Sequence, residues 1–126
     1  MIPGIEAAYQ VVAEEIEDAL PGPWQHATID GVYYPESEEF NGEFLNQSGE
    51  LECFRISIKV MKTFRQLREK FKKAGHRVWG QVSFRLYPDG TFNVKWGYDN
   101  CDENGTTIWD PDEWSRQQDE RRDRHI

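Results

Sequence analysis

The side chains in this chain that could do chemistry are three histidines, two cysteines and several closely spaced carboxylates. His26, His76 and His125 lie far apart, and none belongs to an HExxH, CxxC or GxSxG arrangement. No glycine-rich phosphate loop is present, so neither a metal nor a cofactor is expected. Cys53 sits in an apolar run without a local nucleophile signature and reads as a small buried hydrophobe. With Cys101 it makes the whole cysteine complement, which is no disulfide framework for a Trp-rich domain. Reduced thiols in a cytoplasmic protein are expected. Glu36, Glu38 and Glu39 in PESEEF, or Asp102 with Glu103, could act as general acid and base if burial drew their pKa values apart. They lie among turn residues, where solvated loop acids are the plainer reading, and no catalysis is expected.

The tail offers binding chemistry instead. Between Asp99 and Glu113 lie six acids and no base, beside Trp109 and Trp114. Carboxylates steer a basic partner, while Trp supplies the desolvated anchor of an interface. The alternative is that both Trp side chains close the edge of the core and the acids flank a helix cap. The expected partner-binding residues are Glu36, Glu38, Glu39, Asp99, Asp102, Glu103, Trp109, Asp110, Asp112 and Glu113.

Charge along the chain supports that choice. The first 54 residues hold twelve acids and no Lys or Arg, residues 55–98 hold eleven cations against two acids, and the remainder holds nine acids and four arginines. The blocks carry −12, +9 and −5, which recover the net −8. Long acidic runs repel nucleic acid and anionic membranes and attract basic protein surfaces. The seven cations between Lys59 and Lys73 form a modest patch, read as a solvated face or as an internal complement to the acidic half. The N-terminus lacks a basic n-region, and no apolar run approaches the roughly 18 residues of a membrane span. Neither export nor insertion is expected. Whether the chain self-associates is not legible.

The elements that must carry these residues read as one domain over 1–126, with fraying last residues. Ile5, Ala8, Tyr9, Val12, Ile16 and Leu20 make one apolar stripe, predicting a helix over 3–20 that starts at Pro3 and stops at Pro21-Gly22-Pro23. Strands are expected over 24–34, with a break open at Asp30-Gly31, over 39–46, and over 50–58. A second helix follows from Val60, Phe64, Leu67, Phe71 and Ala74, starting near 59 or, if Thr63 and Gln66 form a capping box, at 63. Residues 78–87 and 91–98 alternate around Pro88-Asp89-Gly90 and predict a hairpin with one apolar and one polar face. Asp110-Pro111 opens a short helix over about 111–122. The fold class is α+β: an antiparallel sheet of about five strands, two helices on its apolar face, and a short C-terminal helix.

From Leu67 to Asp99 a helix runs into Lys73-Ala74-Gly75-His76, Val78-Trp79 opens a strand, and an Asp-Gly-Thr-Phe turn leads to Trp96-Gly97-Tyr98-Asp99. This stretch resembles the YezG-like immunity proteins, bacterial antitoxins that bind and inhibit nuclease toxins. Trp24 and the paired tyrosines Tyr33 and Tyr34 match the family's first half more loosely, and Trp109 stands where the family often has a Trp after its last acidic loop. The chain departs from the pattern at Gly80-Gln81-Val82, where the family tends to be Thr-rich, and in the Arg-rich stretch from Arg116. The resemblance implies stoichiometric inhibition of a cognate toxin with a basic surface, without catalysis. An acidic adaptor or chaperone for another basic protein stands beside it. So does a small α+β enzyme or ligand-binding domain using a sheet face lined by Trp96 and Tyr98.

Overall fold

The computed structural model describes residues 2, 4–20 and 22–108. Helix α1 (Ile5–Ala19) precedes strands β1 (Trp24–Tyr33), β2 (Glu38–Asn46) and β3 (Leu51–Phe54). Helix α2 (Ile58–Lys73) then leads to the hairpin of β4 (Gln81–Leu86) and β5 (Phe92–Gly97). The five strands form one antiparallel sheet in the order β3-β2-β1-β4-β5, so β1 is central and the hairpin returns to its free side. This is the expected α+β architecture. The C-terminal helix expected over 111–122, with Trp109 and Trp114, lies outside the described residues.

Register explains why one sheet face is dry. Gly31 pairs with Phe40 and with Val82, Ile29 with Gly42 and Phe84, Ala27 with Phe44 and Leu86, and Val82 and Phe84 pair in turn with Trp96 and Val94. Alternation places all of these on one face. Helix α1 covers it through Tyr9 against Phe84 and Trp96, and α2 through Phe64 against Phe40 and Phe71 against Trp96. Ser57 Oγ donates to Glu15 at 2.9 Å, while Gly4 lies beside Lys70, so the helices run antiparallel. At the centre sits Trp79, fully buried and in ring contact with Tyr33, Phe64, Phe71 and Trp96.

Several expectations about boundaries are corrected. Strand β1 has no break at Asp30-Gly31, because the Phe40 ring lies across Gly31, where a Cβ would meet it at 2.5 Å. The run over 50–58 is strand only to Phe54. Ser57 caps α2 instead, accepting from the Val60 N–H at 3.3 Å, and Thr63 is a buried mid-helix residue whose hydroxyl donates to the Lys59 carbonyl. Thr63 is therefore no cap. Strand β4 starts at Gln81 rather than 78, with Val78 and Trp79 buried ahead of it. Cys53 is exposed, since it pairs with Glu43 on the sheet face away from the helices while its neighbour Phe54 turns to the core, and Cys53 and Cys101 are both free thiols.

Two buried polar atoms in this core, Trp79 Nε1 and Tyr33 Oη, have no hydrogen-bond partner. Their rings nonetheless do the packing, and that contrast is testable. Trp79→Ala should cost about 3–5 kcal/mol by opening a cavity. Tyr33→Phe, which removes an unpartnered hydroxyl and keeps the ring, should be neutral or stabilise by up to about 1 kcal/mol. Urea midpoints at constant m would read both; a Tyr33→Phe loss comparable to the Trp79→Ala loss would contradict the packing account.

Candidate functional site

The expected binding residues are assembled by a loop that the sheet holds at one end. Strands β1 and β5 finish there, and β2 and β4 begin there, so the β1–β2 turn carrying Glu36 and the segment 98–108 leave side by side. The Thr107 N–H donates to the Tyr33 carbonyl at 2.6 Å, the Tyr33 N–H donates to the Gly80 carbonyl at 2.8 Å, and Cys101 bridges to Thr107. Gln81 clamps the loop from below: its amide donates to the Asp99 carbonyl at 2.7 Å and to Thr107 Oγ1 at 2.8 Å, and its oxygen accepts from the Asp99 N–H at 3.1 Å. Gly105 takes φ +76°, and a Cβ there would lie 2.5 Å from the Val78 carbonyl oxygen. Only a residue without a side chain closes this turn.

Arg68 joins that loop to the core. Its guanidinium donates to the carbonyl of Trp79, and to that of Gly105 at 2.9 Å. It lies over the Tyr33 ring at 4.2 Å and the Trp79 ring at 5.4 Å. Burial lowers its pKa, yet the group starts so high that it stays charged. Burial likewise pushes the Tyr33 phenol up, helped by the negative charge of Glu38. From the sequence Arg68 is one more cation filling a solvated helix face. The structure makes it the latch of the site.

The expected carboxylates fare differently. Glu36, Glu39, Asp99 and Glu103 are exposed. Glu38 faces the helices, where the Arg65 guanidinium donates to it in the one ion pair among the described residues. The basic helix therefore neutralises the acidic half at that single point. Asp102 folds the loop: it accepts from the N–H groups of Asn104 and Thr106, both at 3.0 Å, and from the Thr106 hydroxyl at 2.6 Å. Those bonds, the hydroxyl's first, hold its carboxyl below the usual range. Trp109, Asp110, Asp112 and Glu113 lie outside the described residues.

The other face of the sheet was foreseen as polar for the hairpin alone, and its continuation across β1 and β2 was not. No described helix packs on it, and Asp30, Glu39, Asn41, Glu43, Arg85 and Lys95 are exposed there. The missing signal was strand alternation in β1 and β2: residues out of phase with Ile29 and Phe44 had to face away from the helices. An open groove of about 440 Å³ lies on this face beside Tyr34, Ser83 and Gly97 and reaches the loop at Asp99. The ligand pocket considered around Trp96 and Tyr98 on the apolar face is overturned, because Tyr9, Phe71 and Trp79 fill that space against Trp96. Among the described residues no His, Cys, Asp and Glu side chains gather as a metal site, and no helix is long and apolar enough to cross a membrane.

A model of the YezG-like immunity proteins matches residues 46–116, from the turn before β3 through the clamped loop. The chain belongs to the YezG-like immunity protein family. It is also similar to "Immunity protein YezG" of Bacillus spizizenii (strain ATCC 23059 / NRRL B-14472 / W23), with 25% identity over 108 residues that cover 73% of this chain and 67% of that protein. In this YezG-like chain the matched region therefore contains Arg68, Trp79, Gln81 and Asp102, the residues that build the loop.

The depressed pKa of Asp102 has a pH signature. Its folded value lies below its unfolded one, so its contribution to stability is present above about pH 4 and is lost as pH falls through the folded value. Between pH 5 and pH 2 the parent chain should lose more stability than Asp102→Ala, read from urea midpoints. Parallel pH profiles would show that this carboxylate does not hold the loop.

Proposed function

We propose that the chain is a stoichiometric inhibitor that binds and neutralises a cognate toxin, a nuclease with a cationic surface. The contact runs through the carboxylates at the loop end of the sheet: Glu36, Glu39, Asp99 and Glu103. Trp109, Asp110, Asp112 and Glu113 continue the acidic run in the sequence and extend the surface in this reading. Glu38 and Asp102 contribute charge, although both carboxylates are engaged within the chain. The protein acts in the cytoplasm, by binding and without turnover, and uses neither cofactor nor direct nucleic-acid contact.

Family membership supports the class, and the relative it resembles is named an immunity protein. The observation that carries the acidic-surface reading is the lack of self-neutralisation. The described residues hold eleven Lys and Arg, yet a single ion pair forms among them, Arg65 with Glu38. Carboxylates left without internal cations project a field into solvent. A nuclease presents positive charge to phosphate, so an acidic surface competes for the same face. Opposite charge also speeds encounter, which matters to an inhibitor that must act before the toxin does.

Co-expression with the toxin encoded beside the gene should give a 1:1 complex and abolish nuclease activity. Unabated toxicity with no complex would overturn the inhibitor reading, and a complex with a partner lacking nuclease activity would overturn its nuclease part. Reversing Glu36, Glu39, Asp99 and Glu103 to Lys should slow association about tenfold or more at low salt and flatten its salt dependence. Stopped-flow measurements at two ionic strengths would show this; an unchanged on-rate would locate the steering surface elsewhere.

A further inference from the structure

The geometry points to the groove on the open sheet face as the receptor for an arginine side chain of the cationic partner. This rests on reading the chain as a binder of a basic protein, and it names the contact on which specificity would turn. The groove exists because two small residues lie between larger walls. Ser83 forms its floor, and Gly97 presents no side chain where a Cβ would meet Gln81 at 2.5 and 2.8 Å. One wall is Asp30 with Tyr34, which share a face of the β1 segment by alternation. Asp99 closes the loop end, just past Gly97. The far wall is Lys95, in the cross-strand row Asp30–Ser83–Lys95, two strands and roughly 10 Å from Asp30.

Charge and shape agree on the occupant. Neither Asp30 nor Asp99 forms an ion pair within the described residues. Glu39 also stands close enough to Tyr34 that, after burial, its charge raises the phenol's pKa. Two carboxylates beside a half-buried aromatic ring fit a planar guanidinium, which can pair with a carboxylate and stack on a ring together. An ammonium can do the first and is poorer at the second. Lys95 opposes any cation on its own side, so the incoming group is directed to the Asp30–Tyr34 wall. The groove's volume of about 440 Å³ leaves room for the side chain and ordered water. Helix α1 exposes more acid, with Glu6, Glu14, Glu17 and Asp18 all accessible; Glu17 lines an open recess of about 370 Å³ with Pro23, Trp24, Gln47 and Pro88, but no second carboxylate joins it there.

That comparison supplies the test. A hexa-arginine peptide titrated into the ¹⁵N-labelled protein should shift amides centred on residues 30–34, 81–83 and 95–99. Asp30→Asn with Asp99→Asn, and separately Tyr34→Ala, should each weaken the peptide about fivefold to tenfold. Glu14→Lys with Glu17→Lys, a larger change in net charge, should weaken it less than about twofold. Hexalysine should bind several-fold more weakly than hexa-arginine. Shifts centred on α1, an α1 variant as damaging as the groove variants, or equal binding of the two peptides would each overturn the assignment. A toxin complex that forms while hexa-arginine maps to α1 would remove the groove and leave the inhibitor reading standing. Failure to form any toxin complex would remove the inhibitor reading itself.

Discussion

The contact that the rest of the structure depends on is a cation held against the backbone of a buried tryptophan. Trp79 has no exposed surface and touches rings from β1, α2 and β5, so its position sets the spacing of helix and sheet. Its carbonyl lies just ahead of the point where the chain joins the sheet, Gly80 being the first residue bonded to both Tyr33 and Gly97. Arg68 supplies the donor and, with a second hydrogen bond to Gly105, ties the loop to the same point. Partial burial costs the guanidinium hydration. The faces of Tyr33 and Trp79 and two carbonyl dipoles offset that cost. A lysine would place a point charge there without the fork or the stacking.

From that latch the division of labour between the two sheet faces follows. Helices α1 and α2 both pack on the apolar face, and among the described residues no helix packs on the other. Among the described residues the acids meet the cations in one ion pair, Arg65 with Glu38. Packing α1 antiparallel to α2 brings the acidic and basic helices side by side, yet Glu15 meets the hydroxyl of Ser57 rather than a lysine. Self-repulsion among unpaired carboxylates works against compactness. The aromatic core compensates, with stacked and edge-on pairs running from Tyr9 through Trp96 and Trp79 to Phe64.

Legibility differed between fold and site for a physical reason. Apolar periodicity is a local property, so both helices, the hairpin and the α+β class could be read from neighbours in sequence. Boundaries that stayed open in the sequence were settled by particular side chains: β1 runs unbroken with Phe40 across Gly31, and Ser57 rather than Thr63 opens α2, at the earlier of the two starts considered. Cys53 looked buried by its neighbours and proved exposed, because its pairing with Glu43 turns it to the face without helices. Asp102 and Glu103 are adjacent acids of similar character in sequence. One folds the loop and the other faces solvent, a difference that arises only when Thr106 turns back.

Amino-acid order alone determined the charge blocks, the amphipathic stripes and the turn at Pro88-Asp89-Gly90, since each depends on residues within a few positions of one another. Only the tertiary structure decided that β1 is central, that the turn carrying Glu36 lies beside the loop carrying Asp99, and that Asp30, Tyr34 and Lys95 surround one groove. Those neighbours come from three strands whose pairing is set by cross-strand packing and register. Such pairing is a property of the assembled sheet, and no single segment encodes it.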